Sequence, residues 1–314
     1  MTEYDSAREL DRRRLEELAV KIKLGTSTWT YPGWKGIIYF DQYKNEKDFK
    51  ARSLGEYATY PLFRTVGIDS SFYTPSSSKL LQSYAALVPD NFRWISKVWE
   101  RLTVPRYPLH PRYGKYAGEL NPEFLNPAVF IEKVLKPYQL EELSRHAGPF
   151  VFQFPTINRE LLQNLKFLSK LDSFLAALPK HYRYATEIRN PELLSPDYFA
   201  ILNQHGATHC FNHWNYMPPL KTQMHKAAEA GGLKADFYVA RILTPLGVSY
   251  ENAVKLFTPY DTIKRPNPEM RKDVARLISR ALERDVEAYI IINNRAEGHA
   301  PGTIRAILDE LATA

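Results

Sequence analysis

Eight short runs rich in β-branched and aromatic residues recur along the chain, at 22–27, 64–69, 92–97, 150–154, 183–188, 207–211, 237–242 and 288–293. Longer stretches of helical periodicity separate them, and the chain ends on one. No other feature limits the fold as strongly. Parallel strands need crossovers of a dozen residues or more, and the helices that make those crossovers must cover the sheet. Ser195 followed by Pro196, and Asn267 followed by Pro268, each set a side-chain cap before a first-turn proline. Segments 158–178 and 303–312 also carry clean helical spacing. Repeated strand–helix units in 314 residues predict an α/β chain, a TIM-type (β/α)8 barrel forming a single domain over 22–314. Residues 1–21 are an extra N-terminal helical extension, with helix expected over 5–21 and Leu10, Leu15 and Leu18 on one side. An open doubly wound sheet is the competitor, but the turn after the first run, GTSTWTYPGW, lacks the G-x-G-x-x-G of dinucleotide-binding sheets.

A barrel of this kind keeps its chemistry at the carboxyl ends of its strands, and there the runs turn polar. Thr26 and Ser27 follow the first, Asp69, Ser70 and Ser71 the second, and Lys97 the third. Gln153 lies in the fourth, Glu187 and Arg189 end the fifth, and His209, Asn212 and His213 cluster at the sixth. Arg241 ends the seventh, and Asn293 and Asn294 the eighth. In YATEIRN, Glu187 and Arg189 stand two apart and share a face, because strand side chains alternate. The apolar part of that strand fills the barrel while the charged pair faces its mouth.

Residue type then suggests roles. A carboxylate among Arg and Lys is expected to have a lowered pKa, which makes it a base or an orienting acceptor. Glu187, Asp69 and Lys97 are the candidate catalytic groups. Arg189 and Arg241, with Lys97, form a candidate anion clamp. Gln153, Asn293, Asn294, Asn212 and His213 are candidate substrate-binding groups. Plainer roles stand beside these: Glu187 with Arg189 as a structural ion pair, Lys97 and Arg241 as rim residues, and the amides as partners of buried backbone. On the catalytic reading, Glu187→Gln is expected to remove turnover and spare folding.

No cofactor is expected. Asp69, Glu187, His209, His213 and His299 are the candidates for a divalent metal, the weaker alternative, since there is no H-E-x-x-H and no cysteine pair. Cys210 in an apolar strand reads as an inert core thiol, and His205 before Gly206 as a helix-end residue. As the only cysteine, Cys210 excludes an internal disulfide. The charged N-terminus has no signal-peptide core and no apolar run is long enough to span a bilayer, so a cytoplasmic protein without membrane partners is expected.

The net charge of +7 favours an anionic partner. Two long loops interleave cations with aromatic rings: Arg101, Arg106, Arg112 and Lys115 after the third strand, and Lys255, Lys264 and Arg265 after the seventh. Such loops either bind nucleic acid or close as a lid over a small substrate.

The segments GTSTWTYPGWKGIIY, IDSSFY, FQFP, EIRN, FNHWNYMPPL, YVAR and INNRAEGHAP, in that order, resemble the YecE-like family, also called domain of unknown function 72. The likeness spans roughly 22–312 and implies a TIM-barrel-like fold with no assigned activity. Many members of that family read V-E-I-N-S-T-F-Y after the second strand; Gly67 stands where the Glu would be and Asp69 where the Asn would be. Asn190 replaces the histidine often found after E-F-R. Barrel type alone draws an analogy with sugar isomerases and apurinic-site endonucleases, which rely on metal clusters.

Together these features predict a metal-independent hydrolase, lyase or isomerase acting on a small anionic, hydroxylated substrate such as a sugar phosphate or nucleotide derivative. The alternative is a nucleic-acid-binding or nucleic-acid-processing protein using the basic aromatic loops.

Overall fold

The computed structural model describes residues 3–312, and side chains from Arg8 onward except that of Leu15. Eight parallel strands close into a barrel in sequence order. They are β1 (Ile22–Thr26), β2 (Thr65–Ile68), β3 (Trp94–Lys97), β4 (Ala147–Gln153), β5 (Tyr184–Glu187), β6 (Thr208–Asn215), β7 (Phe237–Leu246) and β8 (Glu287–Ile292). Every strand expected from the sequence overlaps one of these, and helices run between them. Among the described residues no helix is long and apolar enough to cross a membrane.

Two apolar shells hold the barrel. Ile95, Val151, Ala185, Cys210, Val239, Tyr289 and Ile291 pack together inside it. The strand residues of opposite parity pack outward against the helices in a larger core that includes Trp94, Phe150, Phe152 and Tyr198. Burying one such side chain contributes about 1.5–3 kcal/mol.

The differences from the sequence reading have local causes. β4 begins at Ala147, before Pro149, where a proline without an amide proton argues against strand interior. The register opposite slips between Trp94 and Ser96, and Gly148 lets the chains approach: a Cβ there would lie 2.4 Å from the Trp94 carbonyl oxygen. The expected helix at 158–178 is two helices, Arg159–Asn164 and Phe167–Ala176, because Lys166 takes a left-handed φ of 48°. Leu162, Phe167 and Leu171 are buried on both sides of the break, so the apolar spacing survives it.

The N-terminal helix runs Glu3–Glu17, ending before residue 21. Leu18 is buried, but Leu10 is 50% exposed, and the side chain of Leu15 lies outside the described ones. The inward position belongs to Asp11, which accepts hydrogen bonds from Arg305 and Tyr60. The helix is therefore anchored by an ion pair where an apolar stripe was expected. Ser195 and Asn267 cap their helices as expected, accepting from the amides of Tyr198 and Met270. His205 closes the first of these helices and shares a hydrogen bond with Asp172.

Candidate functional site

Parity along the strands sorts the polar residues. Two steps beyond the inner apolar layer, on the same face, come Lys97 after Ile95, Gln153 after Val151 and Glu187 after Ala185. Asn212 follows Cys210, Arg241 follows Val239 and Asn293 follows Ile291 in the same way. Asp69 continues the inward row of β2 above Gly67, whose register partner is Ile95. Asp69 itself opens the 3-10 turn Asp69–Phe72 that ends β2, and its charge acts on Lys97.

Within this layer a chain of charge-assisted hydrogen bonds crosses the mouth. Arg241 donates Nη1 to Glu187 Oε2 at 2.5 Å and Nη2 to both oxygens of Asp69 at 3.0 Å. Arg189 donates Nη2 to Glu187 Oε1 at 3.1 Å and to Gln153 Oε1 at 3.0 Å. The Trp214 ring covers the Arg189 guanidinium at 3.9 Å. Glu187 and Arg241 have side chains 0% and 4% exposed, whereas the Asp69 side chain is 35% exposed and is the open carboxylate of the set.

Lys97 has no carboxylate oxygen within 4.0 Å among the described residues; its Nζ sits 3.7 Å above the Phe72 ring. Burial lowers its pKa, Asp69 and Glu187 oppose that, Arg241 and Arg189 reinforce it, and the group settles at about 8. Glu187 moves the other way. Burial pushes its carboxyl up, but Arg241, Arg189 and Lys97 outweigh this and hold it at about 2. A carboxylate so stabilised is a poor proton carrier, so Glu187 suits orientation of the two arginines better than base catalysis.

A lysine depressed on folding costs stability wherever the unfolded chain would hold the proton more tightly. Replacing Lys97 by Met is therefore expected to stabilise the protein at pH 7 by on the order of 1–2 kcal/mol. The gain should shrink as pH rises from about 8 toward the ordinary lysine value of 10.5. Urea unfolding of both proteins at pH 7 and 10 measures it; a pH-independent difference would mean the lysine is solvated.

Of the predicted residues, His209, His213, Asn294 and His299 do not join the layer, while Asn293 and Asn212 stay in it with partners of their own. His209 and His213 are odd-numbered on β6 and point outward. His209 Nδ1 pairs with Tyr198 and Nε2 with Gln223, and burial lowers its pKa to about 4. His213 donates Nδ1–H to the Thr244 carbonyl at 2.8 Å and lines a separate cleft with Lys221, Arg265 and Asp273. Asn294 turns into the fold and accepts from the Ala300 amide, while Asn293 Oδ1 caps the turn at Arg295. Asn212 Nδ2 donates to the Ile188 carbonyl, leaving its Oδ1 buried without a partner. His299 Nδ1 accepts from the Gly302 amide. No group of three His, Cys, Asp or Glu side chains among the described residues is arranged to hold a metal ion.

The basic loop after β3 is largely paired. Arg112 Nη2 meets Glu100 at 2.7 Å, Arg101 meets Glu123 at 3.2 Å and Arg106 donates to the Gly118 carbonyl. Lys115 stands over the Tyr116 ring. After β7, Lys264 donates to the Thr258 carbonyl.

The sequence reading missed four contributors. Trp214 and Phe72 supply ring faces to Arg189 and Lys97. Tyr31 feels both Asp69 and Arg295, and burial raises its pKa. Arg295 lies over the Tyr250 ring at 4.5 Å, has no ion pair within 4.0 Å among the described residues, and keeps a buried Nε without a partner. Its position in INNRAEGH, one residue past the paired asparagines, was the available signal. At Gly67 a Cβ would meet the Ser27 carbonyl oxygen at 3.0 Å, so any side chain there would crowd the end of β1.

The model of the family described as protein of unknown function DUF72 matches residues 23–314. A solved DUF72 family protein from Enterococcus faecalis is 15% identical, with a TM-score of 0.61 over 93% of this chain and 96% of its own. One from Thermotoga maritima is 18% identical, with a TM-score of 0.60 over 93% and 99%. These likenesses show the fold. No curated protein matches the chain.

Proposed function

We propose a function for this chain, which belongs to the DUF72 family of proteins of unknown function: it is an enzyme that takes a small anionic, hydroxylated substrate into the mouth of the barrel. A sugar phosphate or a nucleotide derivative fits that description. The observation that carries the reading is the charge inventory of the mouth. Arg241 and Arg189 are neutralised by Asp69 and Glu187, while Lys97 and Arg295 have no carboxylate in contact. Unpaired cations beside a ring of amides attract an anion and leave hydrogen-bonding groups for hydroxyls.

In this reading Lys97 and Arg295 receive the anion or its neighbouring polar group, and Asp69 is the acid–base group. Glu187 fixes Arg241 and Arg189, and Gln153 and Asn293 meet hydroxyls. Proton transfer between Asp69, Lys97 and substrate suits an isomerase, lyase or hydrolase working through side chains alone.

A thermal-shift panel of sugar phosphates, nucleotides, divalent metals and short oligonucleotides tests it, because a ligand that binds only the folded state must raise the midpoint. Sugar phosphates or nucleotides are expected to raise it by several degrees, and Arg295→Met to remove most of the rise. A rise with oligonucleotides alone, salt-dependent and lost when Arg106 and Arg112 are neutralised, would replace this reading with nucleic-acid binding.

A further inference from the structure

We infer that Lys97 captures a carbonyl group: the mouth takes an aldehyde- or ketone-bearing sugar phosphate and holds it as an imine on Nζ of Lys97. This inference rests on the reading of the mouth as a small-molecule site and names the substrate class more closely.

The geometry sets Lys97 apart from the other cations of the layer. Two carboxylates share its mouth, and an ordinary lysine in that position would be locked to one of them as an ammonium. Here Arg241 occupies one oxygen of Glu187 and both oxygens of Asp69, and Arg189 takes the remaining oxygen of Glu187. The arginines thus spare the lysine. Its Nζ rests instead on the apolar face of Phe72, 3.7 Å from the ring centroid. Its backbone is fixed from both sides, by Ser71 Oγ donating to the Lys97 carbonyl at 2.6 Å and by the Val98 amide donating to Val151. Desolvated next to two guanidinium groups, the amine is free in a useful fraction of molecules near neutral pH, its pKa being about 8.

The step balances without a redox partner. The Nζ lone pair attacks the carbonyl carbon, a C–N bond forms, and the C=O π pair passes to oxygen, which takes the proton released from nitrogen. The hydroxyl takes a second proton from solvent, the C–O bond breaks, oxygen leaves as water, and the nitrogen lone pair closes the C=N bond as a protonated iminium. The iminium draws electron density from the neighbouring carbon, and Asp69, at the turn that ends β2 and open to the mouth, accepts the proton lost there. The resulting enamine is reprotonated at that same carbon from the opposite face, an epimerisation, or is formed instead by cleavage of that carbon's bond to the next, a lyase step. Water then adds to the iminium carbon, the C–N bond breaks, and Lys97 is freed as the amine.

Borohydride trapping tests the inference on the full chain. The protein is incubated at pH 7.5 with ribose 5-phosphate, glyceraldehyde 3-phosphate, dihydroxyacetone phosphate or pyruvate, reduced, digested and mapped by mass. Hydride addition to C=N leaves a stable secondary amine. One compound is expected to label Lys97 at least about tenfold faster than any other lysine, given the gap in free amine. That preference should fade as pH approaches 10. Lys97→Arg should abolish the adduct while keeping the native circular dichroism spectrum and melting midpoint within a few degrees. A melting shift with these phosphates but no adduct, or equal labelling of surface lysines, would overturn the imine and leave the proposed site standing. Neither shift nor adduct would sink both.

Discussion

Replacing Glu187 by Gln is expected to lower folding stability at pH 7 by about 3–5 kcal/mol, the usual cost of removing one member of a buried charge pair. The structure replaces the expectation that this change spares folding. Glu187 is 0% exposed and divides its oxygens between two guanidinium groups. The isosteric amide keeps one acceptor and turns a pair of N–H donors toward the other arginine. Arg241 would retain Asp69, but Arg189 would be left with Gln153 and the Trp214 ring. The pH dependence separates this from a packing defect. The wild-type carboxyl titrates at about 2, against about 4.3 in an unfolded chain. A depressed carboxyl contributes stability fully above the unfolded value and loses it as pH falls toward the folded one. The gap between wild type and variant should therefore be full at pH 7 and shrink markedly by pH 3. Urea midpoints at the two pH values measure it, and an equal gap at both would show that the arginines are balanced by something other than this charge.

Much of this arrangement was legible in the residues. The strand count, the barrel and the position of Glu187, Arg189, Arg241, Gln153, Lys97 and Asp69 at strand ends follow from apolar periodicity and from where barrels carry polar side chains. What misled was strand length. β6 runs to Asn215, four residues beyond the expected Phe211. Once it does, the odd parity of His209 and His213 turns both rings outward, and Asn212 alone faces in. Pairing was also hidden. Nothing in one-dimensional spacing says that Arg241, 54 residues from Glu187 and 172 from Asp69, meets both. The electrostatics that distinguish Lys97 from Arg241 depend on those contacts, so the sequence grouped as one clamp what the fold divides into neutralised and unpaired cations. Arg295 escaped notice because it stands past its strand, on the turn that Asn293 caps.

Asp11→Ala is expected to destabilise the protein by about 2–4 kcal/mol and to free the N-terminal helix while leaving the mouth intact. The side chain is 1% exposed and accepts Nε and Nη2 of Arg305, at 2.9 and 2.7 Å, together with the Tyr60 hydroxyl at 2.8 Å. Arg305 belongs to the last helix, Ala300–Ala312, and Tyr60 follows the helix Glu46–Ala58, so one carboxylate ties three segments together. Without it the Arg305 guanidinium keeps, among the described residues, the Tyr60 hydroxyl as its hydrogen-bond partner. The other described anchors are partly exposed, Arg14 on Asp309 at 2.5 Å and Arg8 over the Tyr60 ring at 5.7 Å, while Leu10 faces solvent, and an isolated helix of this length is marginal in water. Amide exchange in Arg8–Glu17 should accelerate by about two to three orders of magnitude, since each 1.4 kcal/mol of lost docking energy is worth tenfold. Exchange in β5 and β7 should change far less, and the melting shift caused by a mouth ligand should persist. Loss of that ligand shift would show that the helix and the mouth are energetically linked, because an anchor confined to the helix bundle has no differential contact with the liganded state and cannot bias it.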